Sequence, residues 1–94
     1  MELRFKPQFK RDYLKIKNRK VKILLASYLQ KITRADTISD AGQLTRLEKY
    51  SSRYKIRITV NEKDDYRAGF EIKDDVIWAE RILRRPSFYG HYRR

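Results

Sequence analysis

Three short runs of alternating polarity fill most of residues 54–83, and they point to an antiparallel sheet. In 54–60, Tyr54, Ile56, Ile58 and Val60 take one face while Lys55, Arg57 and Thr59 take the other. In 65–73, Tyr66, Ala68, Phe70 and Ile72 alternate with Arg67, Gly69, Glu71 and Lys73. The third run, 76–83, follows after Asp74 and Asp75, and the polar stretch 61–64 separates the first two, so a meander of hairpins is the expected topology. With a loop at 73–75, Ile72 pairs with Val76 and Phe70 with Trp78 on the apolar face. Gly69 then meets Ala79, and Arg67 meets Arg81, on a basic face around a floor of small residues. This register puts Glu80 on the core side and Trp78 at core spacing. A two-residue loop would flip the last strand, because side chains alternate with a period of two.

The segments before the meander supply a strand and two helices. Leu3 and Phe5 alternate with Glu2, Arg4 and Lys6, giving a short first strand. Pro7 suits the first position of a helix, and Phe9, Tyr13 and Ile16 at i, i+4 and i+7 give 7–17 a narrow apolar stripe. Asn18 is placed to cap a second helix over 19–34, where Val21, Leu24, Leu25, Tyr28, Leu29 and Ile32 form the strongest helical pattern of the chain. The expected fold is α+β, in the order β-α-α-β-β-β. A two-helix hairpin covers one face of the sheet, Leu25 and Leu29 pack against Ile56 and Phe70, and the other face stays open. Leu44 and Leu47 anchor the connection before the central strand, and 86–94 form a tail.

Ninety-four residues suffice for one domain, 1–94, with a single core. There is no cysteine, so disulfides, thiolate metal sites and a cysteine nucleophile are excluded together. No apolar run approaches the ~20 residues of a membrane span. The first six residues alternate in polarity, unlike the apolar block of a signal peptide, so the expected location is the cytoplasm and no membrane partner is foreseen. With 24 Lys and Arg against 12 Asp and Glu, the formal charge of +12 favours a polyanionic partner, above all nucleic acid or the ribosome.

Tyr-Lys-Ile-Arg-Ile at 54–58, Asp-Tyr-Arg-Ala-Gly-Phe-Glu-Ile at 65–72, Val-Ile-Trp-Ala-Glu-Arg-Ile-Leu-Arg-Arg at 76–85 and a late tyrosine together resemble the RelE/ParE superfamily of bacterial toxins. That family reads Y-x-I-R, then Y-R-x-x-Y/F-x-I, then an apolar strand ending R-I-x-H-R. The resemblance covers the second half in motif and the whole chain in element order. Two departures stand out. Leu83-Arg84 occupies the place of the usual Gly-His, which moves any histidine chemistry to His91, and Pro86 directly follows Arg85.

The residue inventory narrows the chemistry. His91 is the only histidine and the aspartates at 64, 65, 74 and 75 fall in turn-like stretches, so no metal or other cofactor is expected. No nucleophile elbow is present, and three scattered glycines make no phosphate loop. Attack of an RNA 2′-hydroxyl on its own phosphate needs a base, an acid and cations, which Lys, Arg, Tyr and one His can supply. The resemblance implies that Lys55, Arg57, Arg67 and Arg85 do this together with a late tyrosine, which is Tyr89 or Tyr92, and with His91. Arg81, Arg84 and Lys73 are expected to add RNA contacts. It further implies the toxin of a type II toxin–antitoxin pair, an endoribonuclease acting on messenger RNA at the ribosome and held in a hetero-oligomer by a cognate antitoxin. The alternatives are a ParE-like inhibitor of DNA gyrase and a non-catalytic RNA- or ribosome-binding protein. ParE-like members generally lack the set of cations present here.

Overall fold

The structure is a computed structural model, described here for residues 1–93; Arg94, the end of the expected tail, lies outside the described residues. The elements run β1 (Glu2–Phe5), α1 (Pro7–Lys15), α2 (Arg19–Arg34), α3 (Ile38–Ala41), β2 (Thr45–Arg46), β3 (Arg53–Thr59), β4 (Asp65–Lys73), β5 (Val76–Arg84) and α4 (Arg85–Tyr92). The fold is α+β. β3, β4 and β5 form the expected antiparallel meander, and the sheet order is β1-β5-β4-β3-β2 with β1 parallel to β5.

The two long helices follow their sequence signals. Pro7 occupies the start of α1, where a missing N–H has no helical acceptor to lose. Asn18 caps α2 by accepting from the Lys20 N–H at 2.8 Å, and its side-chain amide donates to Asp64 at 2.8 Å, tying the helix start to the loop before β4. Val21, Leu25 and Ile32 of α2 are fully buried with Ile56, Ile58, Ala68, Phe70, Ile77 and Ala79 of the sheet. Each large side chain in this layer contributes about 1.5–3 kcal/mol. α1 ends at Lys15, two residues earlier than its stripe suggests, because Ile16 turns into extended backbone and packs into the core from there.

The β4–β5 hairpin differs from the expected pairing. Its loop is the two-residue turn Asp74-Asp75, both at positive φ (52° and 62°), the conformation whose twist matches the flanking strands and which aspartate tolerates better than most side chains. Lys73 therefore pairs with Val76, Ile72 with Ile77, Glu71 with Trp78 and Phe70 with Ala79. The strand is flipped relative to the three-residue loop: Ile77 and Ala79 enter the core, and Trp78 is half-buried with the Arg4 guanidinium 5.6 Å from its ring centroid. Between Gly69 and Phe70 the register shifts by one, leaving Glu80 as the extra residue of a bulge. Beyond it Gly69 faces Arg81, Ala68 faces Ile82 and Arg67 faces Leu83, so Ile82 returns to the core. The conflict over Glu80 is thereby resolved. Its buried carboxylate meets Lys6 Nζ at 2.8 Å and Arg53 Nε at 3.1 Å. Burial raises its pKa, but those two cations outweigh burial and hold it below the usual carboxylate range.

The second face of the sheet is not open. The chain passes from β5 straight into α4, with Pro86 in the first turn, and the expected tail is a helix lying across β4 and β5. Phe88 and Tyr92, four residues apart and so on one helical face, are buried with Leu47 in a second apolar cluster, whereas Leu44 packs on the main core. Tyr66 through Phe70 are consequently buried on both sides of β4. The small residue in the floor is what admits the helix, since a Cβ at Gly69 would lie 2.3 Å from Tyr92 Oη and within 2.8 Å of its ring. Gly69→Ala is expected to push Tyr92 off the sheet and cost about 1–3 kcal/mol, the range for forcing extra volume into a packed site, as measured by chemical denaturation. Among the described residues no helix is long and apolar enough to cross a membrane.

Candidate functional site

On the face away from α1 and α2, β3 presents Lys55, Arg57 and Thr59, and β4 presents Asp65, Arg67 and Gly69. The register sets Lys55 opposite Gly69, Arg57 opposite Arg67 and Thr59 opposite Asp65. Two arginines directly across an antiparallel pair repel each other, at roughly 0.2–1 kcal/mol for the pair itself. α4 then leans over this end of the sheet. Arg85 and Tyr89, four residues apart, share the helical face that looks over it, while Phe88 and Tyr92 take the face that packs down. The turn after α3 and the start of β2 close the remaining side with Gly42, Gln43 and Thr45, and Gly42 sits at φ +71°, a conformation that disfavours a side chain. The result is a polar cleft of about 650 Å³ lined by Lys55, Arg57, Asp65, Arg67, Arg85 and Tyr89 together with that turn.

Within the cleft the side chains bond to one another. Lys55 Nζ donates to Tyr89 Oη at 2.8 Å. Burial raises the Tyr89 phenol, but hydrogen bonds and charge from Lys55 and Arg67 outweigh it and lower its pKa below the ordinary tyrosine value. Arg67 is 4% exposed, and its Nη1 donates to the Tyr66 carbonyl at 3.0 Å and to the Asp65 carboxylate. Asp65 also accepts from Thr59 Oγ1 at 2.7 Å, and the Thr59 and Arg67 bonds hold its carboxyl below the usual range. Sequence reasoning placed Asp65 among turn aspartates and gave Thr59 no role. The signal was present in the alternation, since Thr59 shares parity with Arg57, and Asp65 with Arg67.

Of the residues singled out in the sequence, the structure brings together Lys55, Arg57, Arg67, Arg85 and Tyr89. Tyr92 lies beneath α4, where it donates to Glu80 at 3.2 Å; burial, then the Glu80 charge, raises its pKa far above the ordinary value. It lines an adjoining cavity of about 460 Å³, which shares Thr45, Lys55 and Tyr89 with the cleft. His91 is exposed on the far turn of α4, edge-on to Tyr92 at 4.8 Å, and does not line the cleft. Arg81 is committed to Asp12, with bonds of 2.8 and 3.2 Å to its carboxylate. Arg84 lies over the Tyr66 ring and pairs with Asp64 at 3.8 Å. Lys73 sits at the β4–β5 turn, about 20 Å along the strand from Arg67. Among the described residues no three of His, Cys, Asp or Glu gather as a metal site would require.

No protein-family model matches the sequence, and no curated protein matches it. The fold is similar to that of a chain in the crystal structure of a RelB-RelE antitoxin-toxin complex from Methanococcus jannaschii. The TM-score is 0.73 and the identity 21%, over 95% of this chain and 98% of that one. At this identity the likeness is one of fold.

Proposed function

We propose that this chain is the toxin of a type II toxin–antitoxin pair and that it cleaves messenger RNA on the ribosome without a metal. The observation that carries the reading is the Arg57–Arg67 pair, two like charges placed side by side at an energetic cost, with Lys55, Arg85 and Tyr89 arranged around them. Asp65 offsets part of that repulsion, and an anion bound in the cleft would offset more of it. The fold it shares with a chain of an antitoxin–toxin complex supports the toxin assignment, and the charge of +12 suits both an RNA substrate and an acidic antitoxin.

In this reading Arg57, Arg67 and Arg85 hold the scissile phosphate and stabilise the charge that grows on its oxygens. Lys55 donates to Tyr89 Oη and Arg67 adds positive charge nearby, and both stabilise a phenolate; as the phenolate, Tyr89 takes the proton of the 2′-hydroxyl while that oxygen forms its bond to phosphorus. The bond from phosphorus to the 5′-oxygen breaks, and the leaving oxygen is protonated by Lys55, whose ammonium gives up a proton far more readily than a guanidinium. Proton transfer from Tyr89 back to Lys55 along their 2.8 Å hydrogen bond restores the starting pair. The products are a 2′,3′-cyclic phosphate and a 5′-hydroxyl. End-group analysis of messenger RNA cleaved on ribosomes tests this directly: 5′-hydroxyl ends are expected, and 5′-phosphate ends would show that water, not the 2′-hydroxyl, is the nucleophile.

A further inference from the structure

One charge in the cleft runs against the rest. Asp65 is an acidic residue among those lining it, and its carboxylate would oppose an RNA phosphate bound to Arg57 and Arg67. It is nevertheless built in. Thr59, directly opposite on β3, fixes it with a 2.7 Å bond, and Asp65 in turn grips Nη1 of the buried Arg67. The Tyr66 carbonyl, at 3.0 Å from the same nitrogen, gives the guanidinium a second anchor on one side of its fork. With Nη1 committed to these two acceptors, the other N–H groups of the fork are left for a ligand in the cleft, which Arg67 lines together with Tyr89. A lone arginine directly opposite Arg57, with Lys55 two residues further along the same strand, would be driven from its neighbours by repulsion and would spread over several rotamers. A carboxylate behind it offsets the repulsion and selects one.

We propose that Asp65 is a positioning residue for RNA cleavage, one that holds Arg67 in its working orientation at the expense of substrate affinity. The inference rests on the nuclease reading. It separates two quantities that a purely structural ion pair would leave together. Charge alone makes Asp65 unfavourable for RNA, since a unit charge within several ångströms of the phosphate costs roughly threefold to tenfold in binding at moderate salt. Orientation makes it favourable for the rate, because a donor that must reorganise during the reaction loses much of its effect.

The test compares wild-type protein with Asp65→Asn in single-turnover cleavage of ribosome-bound message, with RNA affinity measured on a short single strand. Asp65→Asn is expected to bind RNA about threefold to tenfold more tightly while cleaving about tenfold or more slowly at saturation, a split between binding and rate. Asp65→Glu should recover part of the rate. Thr59→Val, which leaves the charge in place and removes its tether, should slow cleavage without tightening binding. Glu62→Gln, the same change of net charge in the exposed loop before β4, controls for charge and should alter neither by more than about twofold. Thermal melting of each variant identifies any loss of fold. Unchanged or faster cleavage by folded Asp65→Asn overturns the proposal, as does a fall in both affinity and rate. No cleavage by the wild-type protein would instead overturn the nuclease reading itself.

Discussion

Replacing Arg67 with alanine is expected to lower the cleavage rate by about 10²-fold or more, the scale of losing one preorganised donor to a developing negative charge. Three features make Arg67 the most exacting cation of the cleft. It is buried, it is anchored by Asp65 and the Tyr66 carbonyl before substrate arrives, and it lines the cleft together with Tyr89. Its removal also leaves the Asp65 carboxylate facing the phosphate without its cation, so RNA binding should weaken as well, though less than the rate. Arg67→Lys keeps the charge but lacks the planar fork needed to hold Asp65 and the carbonyl while also facing a phosphate, and it should recover only a small part of the activity. Single-turnover rates at saturating RNA, with melting curves to confirm the fold, check both variants. A rate within about threefold of wild type for folded Arg67→Ala would remove Arg67 from the site.

Phe88→Ala is the substitution expected to cost most in stability, about 3–5 kcal/mol, the range for emptying a buried phenylalanine site. Phe88 is fully buried against Leu47 and Tyr92, and this cluster fastens α4 to the sheet. For a domain of this size the loss is a large part of a total of roughly 5–15 kcal/mol. Function falls with it, because α4 carries Arg85 and Tyr89 into the cleft, and a detached helix would leave Lys55, Arg57 and Arg67 without a roof. For the same reason, removing residues 86–94 should destabilise the sheet, not merely trim a tail, since it exposes the buried Gly69 side of β4. Urea denaturation compares Phe88→Ala with wild type, and a loss below about 1 kcal/mol would mean that α4 is not held as described.

Much of this architecture can be read in the residues, and the rest fails for identifiable reasons. α2 is legible because six apolar positions keep a 3.6-residue period behind a side-chain cap at Asn18. β3 is legible because its alternation is unbroken, and that alone puts Lys55 and Arg57 on one face. The β4–β5 register is harder to read, because Asp74-Asp75 is a weaker signal for a two-residue turn than Asn-Gly, and because the bulge at Glu80 resets parity within the strand. α4 offers only Phe88 and Tyr92 as buried apolar positions, with Gly90 between them and Pro86 at the start, which reads as a tail. Once it is a helix, the two late tyrosines part: Tyr89 shares a face with Arg85 and lines the cleft, and Tyr92 shares one with Phe88 and is buried. Asp65 gives no signal of a site role in the sequence, because it borders a polar stretch dense in turn residues; in the structure it begins β4 and faces Thr59.

Cleavage of messenger RNA by the cleft is tested by inducing the chain without a partner protein, with primer extension on actively translated messages and plasmid supercoiling measured in the same cells. New 5′ ends within coding sequence should appear soon after induction of the wild type and be absent with Arg67→Ala, while supercoiling stays unchanged. Intact messages together with a shift in supercoiling would contradict the account and point to an inhibitor of DNA gyrase built on the same fold.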